Sequence, residues 1–130
     1  MRFLLDTQVW LWMHLQPERL RPEVRDQFVD PASTLLLSAA SSWEIAIKYA
    51  LGKLPLPEPP SDYVSSRMRR DAVDGLPVTH AHALHVASLP RHHADPFDRI
   101  LIAQSQLEDV PLVTADRHMD SYDVAIVPAV

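Results

Sequence analysis

Short apolar runs alternate along this chain with stretches in which apolar positions recur every three or four residues. Arg2 to Leu5 is an apolar run ended by Asp6-Thr7, and Gln8 to about His14 follows as a helix. Pro22 to Val29 places Val24 and Phe28 four apart among charges, a short amphipathic helix closed by Asp30-Pro31. Thr34 to Ser38 has the pattern of a strand buried on both faces. Ser41-Ser42-Trp43-Glu44 has capping-box spacing and predicts a helix through Tyr49 and Leu51, with Gly52 as its C-cap. Four prolines within Pro55 to Pro60 forbid helix interior and central strand there. Ser61 to Val73 then reads as a polar helix, Leu76 to Val78 as a short strand, and His80 to Leu89 as a helix closed by Pro90. Asp95-Pro96 is an N-cap followed by a first-turn proline, and the helix runs to about Leu107 with Phe97, Ile100, Leu101 and Ala103 on its apolar side. Pro111 to Thr114, Ala115 to Ser121 and Asp123 to Val127 close the chain as strand, short helix and strand.

Strands alternating with helices predict one α/β domain over residues 1–130, a parallel sheet with helices on both faces. The length of 130 residues suffices for a core without covalent staples. The absence of cysteine excludes disulfides, thiolate nucleophiles and zinc-thiolate or iron–sulfur sites, so a metal would sit on oxygen or imidazole. No apolar stretch approaches the length of a membrane span, and Asp6 interrupts any signal-peptide apolar region, so the expected location is the cytoplasm. The net charge of −5 argues against a protein that coats nucleic acid by phosphate neutralisation alone.

Open parallel sheets gather ligands beyond the carboxyl ends of their strands. Asp6 follows the first strand, Glu44 opens the helix after the second, Asp116 follows the Leu112-Val113-Thr114 strand, and Asp95 and Asp98 open the long helix before it. Taken singly, each acid has a capping or helix-dipole explanation. Taken together, like charges in one pocket repel and lose hydration, which calls for protons or a cation, and a hard divalent ion suits carboxylate oxygens. Without these five acids the remaining 12 balance the 12 Lys and Arg residues, so a metal-loaded site need not repel a phosphodiester. Ten of the basic residues are arginine, the side chain suited to bidentate phosphate contacts. Arg91 and Arg99 near the acids are candidate backbone grips, and Arg67, Arg69 and Arg70 are either a further grip or a solvated helix face. His92 and His93 are placed to touch substrate or metal, or stand exposed in a loop, whereas His80, His82 and His85 do not form a convincing ligand set. Trp10, Trp12 and Trp43 read as core or interface, and the Val9, Trp10, Trp12 and Met13 cluster looks excessive for one core, which suggests self-association.

At these residues the chain resembles the PIN-domain ribonucleases, and within them the VapC toxins of prokaryotic toxin–antitoxin pairs. The resemblance rests on LLDTQVW from Leu4, SAASSWEIAIKYALGKL from Ser38, HADPFDRILIAQ from His93 and LVTAD from Leu112. It implies a three-layer α/β/α sandwich around a parallel sheet of about five strands, and an endoribonuclease dependent on Mg²⁺ or Mn²⁺. It also implies an RNA substrate and a cognate VapB-like antitoxin that lays a segment across the active site, in a homodimer or hetero-oligomer. Position by position, the family's acidic catalytic and metal-binding set falls on Asp6, Glu44, Asp98 and Asp116. Thr114 is a polar neighbour and, with Arg99, Arg91 and His93, a candidate substrate contact, and Asp95 is an added acid that either binds metal or caps. Two other readings stand beside this one. The first is a non-catalytic module whose acids dock a partner, and the second is a phosphotransfer domain with Asp6 as nucleophile, weakened because Gln8 occupies the place of its usual second acid.

Overall fold

The computed structural model describes all 130 residues. Five parallel strands form one sheet in the order β3-β2-β1-β4-β5: β1 (Arg2–Leu5), β2 (Thr34–Ser38), β3 (Asp74–Leu76), β4 (Leu112–Thr114) and β5 (Ile126–Pro128). The helices are α1 (Thr7–Leu15), α2 (Pro22–Val29), α3 (Ala39–Ala50), α4 (Pro60–Asp71), α5 (His80–His85) and α6 (Pro96–Glu108), with single 3₁₀ turns between some of them. The three-layer parallel architecture expected from the sequence is the one observed. None of the helices is long and apolar enough to cross a membrane.

Because side chains alternate across a strand, β1 and β2 each feed both faces. Phe3, Leu5, Leu35 and Leu37 join a cluster with Val9, Trp10, Val24, Ile45 and Tyr63, which places α1 to α4 on one side. Leu4, Leu36 and Leu112 join Leu101, Ile102, Ala103, Met119 and Tyr122, which places α6 on the other. Burying both faces is why the central strands are apolar throughout. Trp12 and Met13 pack against the first cluster around the fully buried Val9 and Trp10, so this group is used within the chain's own core. Trp43 is the exception among the tryptophans: it is 63% exposed, its ring edge against Phe97.

Five elements differ in extent or type from the sequence expectation. Helix α3 starts two residues before Ser41, capped by Ser38, whose Oγ accepts from the Ala40 N–H at 3.0 Å. Ser41 therefore lies inside the helix, where its Oγ accepts from Thr7 Oγ1 at 2.8 Å and joins α3 to α1. Strand β3 pairs earlier than expected, with Asp74 opposite Leu36 and Leu76 opposite Ser38, and ends before Pro77, which has no N–H to continue a ladder. Strand β5 pairs later, with Ile126 opposite Leu112. The expected helix to Leu89 is α5 followed by a 3₁₀ turn over Val86–Ser88, and the expected helix over Ala115 to Ser121 is a 3₁₀ turn over Arg117–Ser121. His82 serves this region structurally: its Nδ1 accepts from the Thr79 N–H at 3.1 Å and its Nε2 lies 3.1 Å from Glu108.

Moving the cap from Ser41 to Ser38 has a measurable consequence. Ser38→Ala is expected to lower stability in urea by about 1 kcal/mol, whereas the neighbouring Ser42→Ala is expected to change it by less than about 0.5 kcal/mol.

Candidate active site

The chain crosses from one half of the sheet to the other between β1 and β4, and this change of direction opens a crevice beyond their carboxyl ends. Asp6 leaves β1 and Thr114 ends β4, side by side. Thr114 Oγ1 donates to Asp6 Oδ2 at 2.7 Å and accepts from the Asp116 N–H at 3.0 Å. Asp6 occupies the N-cap position of α1, yet its side chain makes no capping bond there. It is committed to the crevice instead, and both it and Thr114 are buried.

Glu44 reaches the same place from α3, and capping does not account for it, because Ser38 caps that helix. It is buried, and Lys48, one turn along, donates to its Oε2 at 2.6 Å. From α6, Asp95 does cap: its Oδ1 accepts from the N–H groups of Phe97 at 2.9 Å and Asp98 at 3.2 Å. Asp116 caps the 3₁₀ turn after β4, accepting from the His118 N–H at 2.9 Å, with His118 Nδ1 also 3.0 Å away. Asp6, Glu44, Asp95, Asp98 and Asp116 line one cleft of about 590 Å³, together with Lys48 and Lys53. All five acids expected at the sheet's carboxyl edge are thus brought together.

Their electrostatics follow from crowding. Burial first, and then the charges of Asp6, Asp95, Asp116 and Glu44, push the Asp98 carboxyl from 3.8 up to about 7. Burial pushes Asp6 to about 6 against the lowering effect of the Thr114 hydroxyl, with Glu44 and Asp116 adding to the rise. Lys48 is shifted upward, chiefly by its hydrogen bond to Glu44. The cleft holds more negative charge than two lysines neutralise, and its donors are the hard oxygens that Mg²⁺ and Mn²⁺ prefer. His93, Asp98 and Asp116 each offer a ligand atom, and these atoms lie within 4.8 Å of one another. The residues present therefore fit a divalent cation.

The arginines behave differently from expectation. Arg99 turns its guanidinium away from the cleft onto the backbone, donating to the carbonyls of Pro90 at 2.8 Å, Val86 at 3.1 Å and Leu89 at 3.3 Å, and to Tyr122 Oη at 3.2 Å. Its donors are spent on holding the segment before α6. Arg91 is exposed and does not line the cleft. Arg67 pairs with Glu58, and Arg70 pairs with Asp71, so α4 lends the cleft no arginine. The cations that do line it are Lys48 and Lys53, which the sequence reading did not single out; the Glu44–Lys48 spacing of four on a helix was the available signal.

A family model described as PIN domain matches residues 3–125. Ribonuclease VapC16 of Mycobacterium tuberculosis is 56% identical over 63 residues, which are 48% of this chain and 45% of that protein, so the match spans less than half of either. Among solved structures, VapBC2 from Rickettsia felis bound to a DNA fragment from their promoter superposes with a TM-score of 0.77 at 12% identity, covering all of both chains. DNA-bound VapBC from Salmonella typhimurium gives 0.71 at 20% identity over 98% of each chain. A toxin–antitoxin complex from Klebsiella pneumoniae gives 0.63 at 14% identity over 95% of this chain and 94% of that one. At these identities the superpositions establish a shared fold.

The crowded carboxyls set a pH dependence. The folded, metal-free protein binds protons at Asp6 and Asp98 more tightly than an unfolded chain whose carboxyls titrate near 3.8, so stability from these groups is present at low pH and is lost as pH rises through about 6 to 7. Asp98→Asn is expected to raise metal-free stability at pH 8 by roughly 2 kcal/mol and to leave it nearly unchanged at pH 4. Urea midpoints at the two pH values test this, and equal effects of the substitution at both would contradict it.

Proposed function

The chain belongs to the PIN-domain family, and from that membership together with the cleft we propose that it is a metal-dependent endoribonuclease, the toxin of a toxin–antitoxin pair. The observation that carries the reading is the convergence of Asp6, Glu44, Asp98 and Asp116 at the crevice between β1 and β4. These four are the proposed catalytic and metal-binding residues. A bound Mg²⁺ or Mn²⁺ would supply Lewis acidity, lowering the pKa of a water molecule and offsetting charge on the phosphodiester.

Each side chain then has a distinct task. Asp6, at the end of β1, and Asp98, in the first turn of α6, would hold the cation. Thr114 fixes the Asp6 carboxylate by its 2.7 Å hydrogen bond, which preserves the direction of the remaining lone pairs. Asp116 and Glu44 would add further oxygens, directly or through water. Asp95 fixes the amino end of α6, and with it Asp98, by capping. Lys48 neutralises Glu44 through its hydrogen bond, and would be free for a phosphate oxygen if Glu44 served the cation. This division assigns no side chain as general base: a bound cation would acidify the attacking water enough for its proton to pass to solvent.

The proposed partners are RNA as substrate and a cognate VapB-like antitoxin, in a homodimer or hetero-oligomer, acting in the cytoplasm. Support comes from the similar proteins, a ribonuclease and a toxin–antitoxin complex. A phosphotransfer role for Asp6 is disfavoured, since Gln8, two residues on, lines the cleft without supplying a second acid.

Cleavage of a mixed panel of structured and single-stranded RNAs is expected with Mg²⁺ or Mn²⁺ and absent with EDTA. Asp98→Asn is expected to reduce it by roughly 100-fold or more while circular dichroism shows an intact fold. Undiminished cleavage by folded Asp98→Asn would refute the assignment, and metal binding without cleavage of any RNA would favour the non-catalytic docking module.

A further inference from the structure

His93 is the polar side chain in this region that hydrogen bonding leaves unexplained. Both ring nitrogens are buried and neither has a hydrogen-bond partner. Leaving both nitrogens of a buried imidazole without a partner disfavours the empty site, a cost that a ligand would offset. Its Nε2 lies 3.9 Å from Asp98 Oδ2, and a ring nitrogen of His93 falls within 4.8 Å of oxygens of both Asp98 and Asp116. Ligand atoms around an octahedral ion with bonds of about 2.1 Å stand about 3 Å apart in adjacent positions and about 4.2 Å in opposite ones. The three atoms, none more than 4.8 Å from another, stand within about 0.6 Å of the span such an ion bridges.

The backbone of His93 is held although the segment is neither helix nor strand. Its N–H donates to Tyr122 Oη at 3.4 Å, and Arg99 reaches its carbonyl at 3.5 Å while donating to the same phenol at 3.2 Å. Tyr122 is buried, and its ring lies 5.4 Å from that of His93, centroid to centroid. Arg99 and Tyr122 are thus positioning residues for an imidazole whose nitrogens are free. We propose that His93 is a direct ligand of the divalent ion in this cleft, making it a mixed carboxylate and imidazole centre that favours Mn²⁺ over Mg²⁺. The preference follows because both ions take carboxylate oxygens, but Mg²⁺ tolerates little departure from an all-oxygen octahedron, whereas the transition-metal ion Mn²⁺ accepts an imidazole nitrogen beside them. This deepens the nuclease reading and rests on it.

The test is pulsed electron paramagnetic resonance of the full chain loaded with one equivalent of Mn²⁺. Modulation from a directly bound ¹⁴N is expected, changing to the ¹⁵N pattern when the histidines are isotopically labelled. His93→Gln is expected to abolish it and to weaken Mn²⁺ binding by about tenfold or more, with a smaller loss for Mg²⁺ by calorimetry. His118→Ala, which removes the other imidazole beside Asp116, is expected to leave it unchanged. Bound Mn²⁺ without nitrogen modulation, or modulation that survives His93→Gln or vanishes in His118→Ala, would overturn the assignment of His93 and leave the nuclease reading standing. No Mn²⁺ binding at all would overturn both. Should His93→Gln fail to fold, the labelled wild-type spectrum beside His118→Ala still decides.

Discussion

Repulsion among carboxylates that the fold forces together is the constraint on which the rest of the site depends. Asp6 and Asp98 reach the cleft from separate elements, and each carries a pKa pushed up by burial and by the other acids. Spread over the surface, the same residues would be hydrated and apart. Their convergence is tolerable because three kinds of support surround it. The Thr114 hydroxyl stabilises Asp6, Lys48 pairs with Glu44, and capping bonds occupy Asp95 and Asp116. The free energy set against folding here is what makes the cleft receptive to a cation.

Such a site requires a stiff frame, and the parallel sheet supplies one. Fully buried Leu4, Leu5, Leu112 and Val113 fix the ends of β1 and β4, so the two residues that emerge from them, Asp6 and Thr114, have little freedom to separate. Both faces of the sheet are covered, one by the cluster around Trp10 and Tyr63 and the other by the cluster around Leu101 and Ile102. Side-chain hydrogen bonds extend the frame outward, with Thr7 and Ser41 tying α1 to α3 and Gln104 reaching the Pro77 carbonyl from α6. The cleft is therefore set by packing deep in the molecule as much as by its own lining.

Arginine illustrates how tertiary context reassigns a residue type. A guanidinium beside acidic residues reads as a phosphate grip, yet Arg99 bonds the carbonyls of Val86, Leu89 and Pro90, the first already accepting from the Leu89 N–H of a 3₁₀ turn and the other two lying outside any strand or helix. Five planar donors suit that task as well as they suit phosphate. The lysines, being point charges on flexible stems, are the cations left beside the carboxylates.

The local sequence determined the strands and the positions of the acids relative to them. Apolar runs at Arg2–Leu5, Thr34–Ser38 and Leu112–Thr114 have no alternative to a doubly buried strand, and an acid shortly after such a strand or at the start of a helix must lie at a junction. Asp95-Pro96 declared its helix start because capping chemistry and proline geometry act within one turn. Tertiary structure decided what depends on partners distant in sequence. Ser38 rather than Ser41 caps α3, because Ser41 is engaged by Thr7, 34 residues away. The edge strands β3 and β5 took their register from pairing with β2 and β4 rather than from their own weak apolar pattern. Asp6 met Thr114 across 108 residues, Arg99 turned to the backbone, and His93 came to stand beside Asp98 and Asp116 with its nitrogens unspent. Residue spacing encodes the chemistry of a single turn or strand, whereas burial, charge coupling and the choice among possible partners exist only once the sheet has closed the distance between them.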